Sequence, residues 1–88
     1  MIEKKVVVKI PCGLHIRPAG ILSFEASKFT SKCQIMFQHH TINIHSLLNI
    51  VAGGIKCGDE VLVCCSGEDE KEMIKAIEEV LQREDITA

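Results

Sequence analysis

A chain of 88 residues that is 47% hydrophobic has the material for one buried core, and its formal net charge of −2 leaves no surplus of positive charge. With no Trp or Tyr and three Phe, it lacks the basic block and aromatic platform of a nucleic-acid binder, so no nucleic acid is expected as a direct partner. No stretch approaches the about 18 apolar residues of a membrane span, and the N-terminal apolar run is too short for a signal peptide.

Val6, Val7 and Val8, in a run that ends at Pro11, predict a first strand over residues 2–10. A helix follows over about residues 16–28. At about 100° per residue, Ala19, Leu22, Ala26 and Phe29 share one side, which should face the core. Ile16, Arg17, Gly20 and Phe24 cluster on nearly the opposite side, with Ile21 at its border. One apolar stripe suffices to pack a helix on a small domain, so this second stripe is expected at the surface. Residues 33–38 and 41–44 read as a hairpin turning around Gln38-His39-His40-Thr41, without the Asn-Gly or Asp-Gly of a strong turn signal. Ser46 then stands as N-cap to a short helix through Leu47, Leu48, Ile50 and Val51, which Gly53-Gly54 stops. Cys57-Gly58-Asp59-Glu60 turns into a strand over 61–65. A last helix runs to about Gln82, with Met73, Ile74, Ile77, Val80 and Leu81 as its apolar face. Its acidic run Glu68-Asp69-Glu70 reads as a charged first turn, and residues 84–88 are expected to fray.

The order strand, helix, strand, strand, helix, strand, helix predicts a sheet with helices on one face, in a single domain over residues 1–88. Five cysteines (Cys12, Cys33, Cys57, Cys64, Cys65) are an odd number with no C-x-x-C pair. An oxidised framework is usually even, so free thiols packed as small hydrophobes are expected, in a reducing cytoplasm. His39, His40 and His45 lie within seven residues, but neighbours on a strand point to opposite faces, and solvated histidines are expected there.

The block Gly13-Leu14-His15-Ile16-Arg17-Pro18-Ala19 carries the chemistry. Gly13 permits a turn, and Pro18 is tolerated in a first helical turn. His15 therefore stands at a helix start, where the dipole and free N–H groups favour an anion. Arg17 adds a fork of donors suited to phosphate, and a neutral imidazole is a nucleophile able to carry a phosphoryl group.

This block resembles the active-site motif of the HPr family, the histidine-containing phosphocarriers of the bacterial phosphoenolpyruvate-dependent sugar phosphotransferase system, and the resemblance extends over the whole chain. It implies an α+β fold, an open-faced β-sandwich whose four-stranded antiparallel sheet is covered on one face by three helices (βαββαβα). It implies a carrier rather than an enzyme, without cofactor, cytoplasmic and monomeric. His15 would accept phosphate at Nδ1 from Enzyme I and pass it to sugar-specific Enzyme II A domains, with Arg17 stabilising the group. The block Ser46-Leu47-Leu48-Asn49-Ile50 resembles the motif phosphorylated on serine by HPr kinase/phosphorylase, which makes Ser46 a regulatory residue. Ile16, Gly20, Ile21, Phe24, Leu47 and Leu48 would form the apolar patch presented to partners. The chain departs from the family at Ile16, where a small residue is usual, at Cys12, often polar, at His45, usually basic, and at Gly53, usually apolar.

Rival readings remain from the sequence. One is an HPr paralogue in a regulatory, nitrogen-related branch of the system. Another is a metal-handling or ligand-binding α/β module built on the Cys12-x-x-His15 spacing, although two ligands are too few for a structural zinc site. A third is a non-carrier relative acting only through Ser46, which His15 argues against.

Overall fold

The computed structural model describes residues 1–87. Strand β1 (Ile2–Val7) leads to helix α1 (Ile16–Ala26), the hairpin β2 (Lys32–Phe37) and β3 (His40–Asn43), helix α2 (Leu47–Ala52), strand β4 (Glu60–Ser66) and helix α3 (Glu70–Leu81). The four strands form one antiparallel sheet in the order β1-β4-β2-β3, with Val6 opposite Val61 and Ile35 opposite Val63. Alternation sends Val6, Val61, Val63, Cys65, Cys33, Ile35 and Ile42 toward the helices, where all are buried. The other face stays open, with Lys5, Leu62, Met36 and Thr41 in one row across it. This is the α+β open-faced sandwich that the sequence predicts.

Helix α1 packs against both α2 and α3. Its predicted core side is buried at Ala19, Leu22 and Ala26, and Phe29 beyond its end is half-buried. All five apolar residues expected on α3 are buried. Each face removes several aliphatic side chains from water, at roughly 1.5–3 kcal/mol for a fully buried Leu or Ile.

Several boundaries differ from expectation, each for a local reason. Strand β1 ends at Val7 where β4 begins at Glu60: the Val8 N–H still donates to the Asp59 carbonyl at 2.9 Å, in the turn before β4, and the Lys9 N–H then turns to the Leu81 carbonyl at 2.9 Å. Helix α1 stops at Ala26, two residues early, and the Ser27 hydroxyl donates to the Phe24 carbonyl at 2.6 Å. The hairpin turn is tighter than predicted. Phe37 pairs directly with His40, so His40 belongs to β3, and Gln38 (φ 49°) with His39 (φ 67°) forms a two-residue left-handed turn.

The acidic run before α3 is more than a charged turn. The Asp69 carboxylate accepts the backbone N–H groups of Thr30 (2.9 Å) and Ser31 (2.8 Å) and both of their hydroxyls, tying the start of α3 to the loop before β2. These donors, led by the Ser31 hydroxyl, hold the Asp69 carboxyl down to about 2. The tail does not fray at Ile86, which is buried; Ala88, the last residue expected to fray, lies outside the described residues. The cysteines divide. Cys33, Cys64 and Cys65 are buried, as packing residues should be, whereas Cys57 is exposed in a loop and Cys12 is half-buried. His39, His40 and His45 are all exposed, and the His45 Nε2 in addition accepts the backbone N–H of Cys33 at 3.2 Å.

Candidate functional site

The site is built from the turn that precedes α1. The Gly13 N–H donates to the Ile10 carbonyl at 2.9 Å, and the Leu14 N–H to the Ile55 carbonyl at 3.0 Å. Gly13 has φ +73°, and a Cβ there would fall 2.8 Å from the Ile55 carbonyl oxygen. Only glycine meets both demands. Leu14 is buried, so the backbone entering His15 is clamped from both sides.

His15 is the N-cap of α1, and its carbonyl accepts the Ala19 N–H at 2.9 Å. Its imidazole makes no capping bond and is exposed. The N–H groups of Ile16 and Arg17 have no carbonyl four residues back within the helix, while Pro18, third in the helix, has no N–H at all. The first turn holds no acidic side chain. Arg17 is exposed and takes part in none of the ion pairs among the described residues. The positive end of α1, an exposed imidazole at its N-cap and an exposed, unpaired guanidinium two residues on therefore share the start of one helix, an arrangement suited to an anion bonded to the imidazole.

Beside it lies the second stripe of α1. Ile16 is 68% exposed and Phe24 67%, far above what either needs for packing, with Gly20 and Ile21 half-buried between them. Helix α2 extends this surface with Leu48, 78% exposed, and with Leu47 and Val51. The Ser46 Oγ accepts the Asn49 N–H at 3.3 Å and caps α2, as its position predicts. Gly53, where the family usually has an apolar side chain, lies against Ile42, whose Cδ1 would be 2.5 Å from an added Cβ.

Two neighbours of the site escape a sequence reading. Val51 completes the exposed side of α2, and Lys56 joins His15, Leu14, Val51, Gly54 and Ile55 around a depression of about 120 Å³. Val51 was legible as an α2 residue, but its exposure depends on how α2 sits on α1. Lys56 reaches the site only because Gly13 packs against residues 55 and 56, a contact with no local sequence signal. Among the described residues no three His, Cys, Asp or Glu side chains converge as a metal-ligand set.

Residues 2–83 match the family model described as the PTS HPr component phosphorylation site. The chain is 39% identical to the phosphocarrier protein HPr of Mycoplasma pneumoniae over 93% of its length and 94% of that protein's. With the phosphocarrier protein HPr of Mycoplasma genitalium it shares 38% identity, covering 90% of this chain and 91% of that one. Its fold superposes on the crystal structure of HPr-C-His from Thermoanaerobacter tengcongensis with a TM-score of 0.88 at 33% identity, covering 93% and 92% of the two chains. Crh, the catabolite repression HPr of Bacillus subtilis, whose crystal form is a domain-swapped dimer, matches with a TM-score of 0.77 at 30% identity over 99% and 100% of the chains. Sequence match, strand order and helix placement agree: the chain belongs to the HPr family of phosphotransferase-system phosphocarriers.

Proposed function

We propose that His15 is the phosphoryl carrier of this protein, loaded by Enzyme I from phosphoenolpyruvate and unloaded onto Enzyme II A domains in the cytoplasm. The observation that carries this reading is the exposed imidazole of His15 at an uncapped helix start that holds no acidic side chain. In the loading step an imidazole nitrogen forms a bond to phosphorus as the donor's bond to phosphorus breaks. Such transfer needs chiefly alignment and charge stabilisation. The Ile16 and Arg17 amides and the Arg17 guanidinium supply both. Ile16, Gly20, Ile21, Phe24, Leu47 and Leu48 form the docking surface, with Val51 at its edge, and exclude water around the transferring group.

Ser46 is the regulatory site in this reading, phosphorylated by an HPr kinase/phosphorylase. A phosphate there favours the start of α2 and puts negative charge beside Leu47 and Leu48, where a partner must strip water away. The protein acts as a monomer and performs no turnover of its own.

The deciding experiment is incubation with Enzyme I and phosphoenolpyruvate. One acid-labile, base-stable phosphate on residue 15 is expected, and it should pass to an Enzyme II A domain. A phosphate elsewhere, or none, overturns the assignment. Loading only by the nitrogen-branch Enzyme I would move the protein to that branch.

A further inference from the structure

Two buried thiols that the carrier chemistry does not use face each other across the middle of the sheet. Cys33 on β2 is the direct partner of Cys65 on β4. Their sulfurs lie 3.0 Å apart, and the residues are 3% and 0% exposed. The type of pairing follows from a third residue. The Cys33 N–H donates to His45 Nε2, which follows β3, and so points away from β4. In an antiparallel ladder a residue whose N–H points away from the neighbouring strand forms a non-hydrogen-bonded pair with it, and such pairs bring the Cα atoms to about 4.5 Å. That separation lies within the range a disulfide spans. Cys64 does not compete: consecutive strand residues point to opposite faces, and its Sγ lies 3.8 Å from Glu3 Oε2 on the open face.

From this geometry we propose that Cys33 and Cys65 form a peroxide-sensitive modification site, closing on oxidation to a disulfide between the two central strands. In the first step a sulfur attacks one oxygen of hydrogen peroxide. The O–O bond breaks, the departing hydroxide takes up the thiol's proton to leave as water, and a sulfenic acid remains. In the second step the other sulfur attacks the sulfenic sulfur. The S–O bond breaks, and the hydroxide leaves as water with the second thiol's proton. Two thiols and one peroxide thus give one disulfide and two waters, with sulfur oxidised and peroxide oxygen reduced.

The Cys33 thiol is held well above its ordinary value, first by its hydrogen bond with Cys65 and then by burial, while the same bond pulls Cys65 down. Access is local. The next pair along the ladder, Lys32 with Ser66, is its last and is exposed. Opening that end admits an oxidant of about water's size without unfolding the domain.

The test uses the full chain with Cys12→Ser and Cys57→Ser, which removes the accessible thiols and leaves three. The folded protein is treated with hydrogen peroxide, quenched with catalase, denatured, alkylated with iodoacetamide and digested. Mass spectrometry should show residue 33 joined to residue 65, two hydrogens lost, Cys64 alkylated, and the link reversed by a dithiol reductant. Adding Cys64→Ala should leave the link in place. Adding Cys65→Ala should abolish it, and a native circular dichroism spectrum for that variant would assign the loss to chemistry. Recovery of both Cys33 and Cys65 alkylated, or a link through Cys64 instead, overturns the proposal.

Discussion

The starts of α1 and α3 answer the same physical demand in opposite ways. Both expose the positive end of a helix dipole and a set of amides without intrahelical partners. Helix α3 meets it with its own acids: Glu70 and Glu72 stand in its first turn, and the Glu70 carboxylate accepts the Gly67 N–H at 3.1 Å. Asp69, just before it, is fully engaged with Thr30 and Ser31. Neither N-cap side chain makes a capping bond, so the difference is one of charge: helix α1 brings no acid to its first turn. One end carries its own negative charge and fixes the fold, whereas the other is open to the anion that the proposed function puts there. A helix start that a protein leaves without acidic side chains is therefore a place to look for function.

The sharpest way to break this contrast is His15→Ala. Phosphate acceptance from Enzyme I should fall to nothing while circular dichroism and melting temperature stay near those of the parent, because an exposed N-cap that makes no capping bond adds little to the core. A labile phosphate still present by mass spectrometry would remove His15 from the mechanism. Arg17→Ala should be the next largest effect. A charge-assisted contact to phosphate contributes roughly 1.5–3 kcal/mol, so transfer measured by quench-flow should slow by about one to two decades without loss of the final phosphate.

The apolar surface beside His15 distinguishes binding from folding. Phe24→Glu or Leu47→Glu should weaken association with Enzyme I, read by calorimetric titration, by roughly tenfold or more, as central apolar interface residues do. Thermal stability should shift little for Phe24→Glu, since that side chain is 67% exposed, and somewhat more for Leu47→Glu, whose side chain is 38% exposed. A large fall in melting temperature with normal affinity would place them in the core instead.

At the other end of the comparison, Asp69→Asn should weaken the fold and leave phosphate transfer intact. The folded carboxyl sits at about 2, below the about 3.9 of an unfolded Asp. Its contribution is therefore complete above about pH 4 and is lost as pH falls toward 2. Urea midpoints measured across that window should fall more steeply for the parent than for the variant. The smallest effect belongs to Ser46→Asp. Negative charge at the start of α2 should leave stability equal or slightly raised, while the apparent Michaelis constant for this carrier with Enzyme I rises. Unchanged kinetics would leave Ser46 as a helix cap alone.

What the sequence made legible follows the range of each signal. The two stripes of α1, the apolar face of α3, the Ser46 cap and the turn before His15 are all local, set by periodicity or by residues a few positions apart. The links that needed the third dimension stayed hidden. Asp69 looked like one acid in a charged turn because its donors lie 38 and 39 positions away. Lys56 and Val51 border His15 only through the packing of Gly13 and the seating of α2. The hairpin turn was blurred because Gln38 and His39 adopt positive φ without the Asn or Gly that usually announces it. Ile86 was read as part of a fraying end because a lone apolar residue near a terminus has no period to reveal it.

If His15 carries the phosphoryl group as proposed, Pro18 has a consequence for how long that cargo stays aboard. A helix ordinarily turns three amides toward whatever sits at its start, but here the third is a proline nitrogen with no hydrogen. On the proposed function, an oxyanion at His15 would be gripped by two amides, and the well it occupied would be shallower than a full helix terminus would dig. A storage site would gain from the missing donor. A relay runner gains from its absence, since a baton held less firmly changes hands in either direction with a lower barrier.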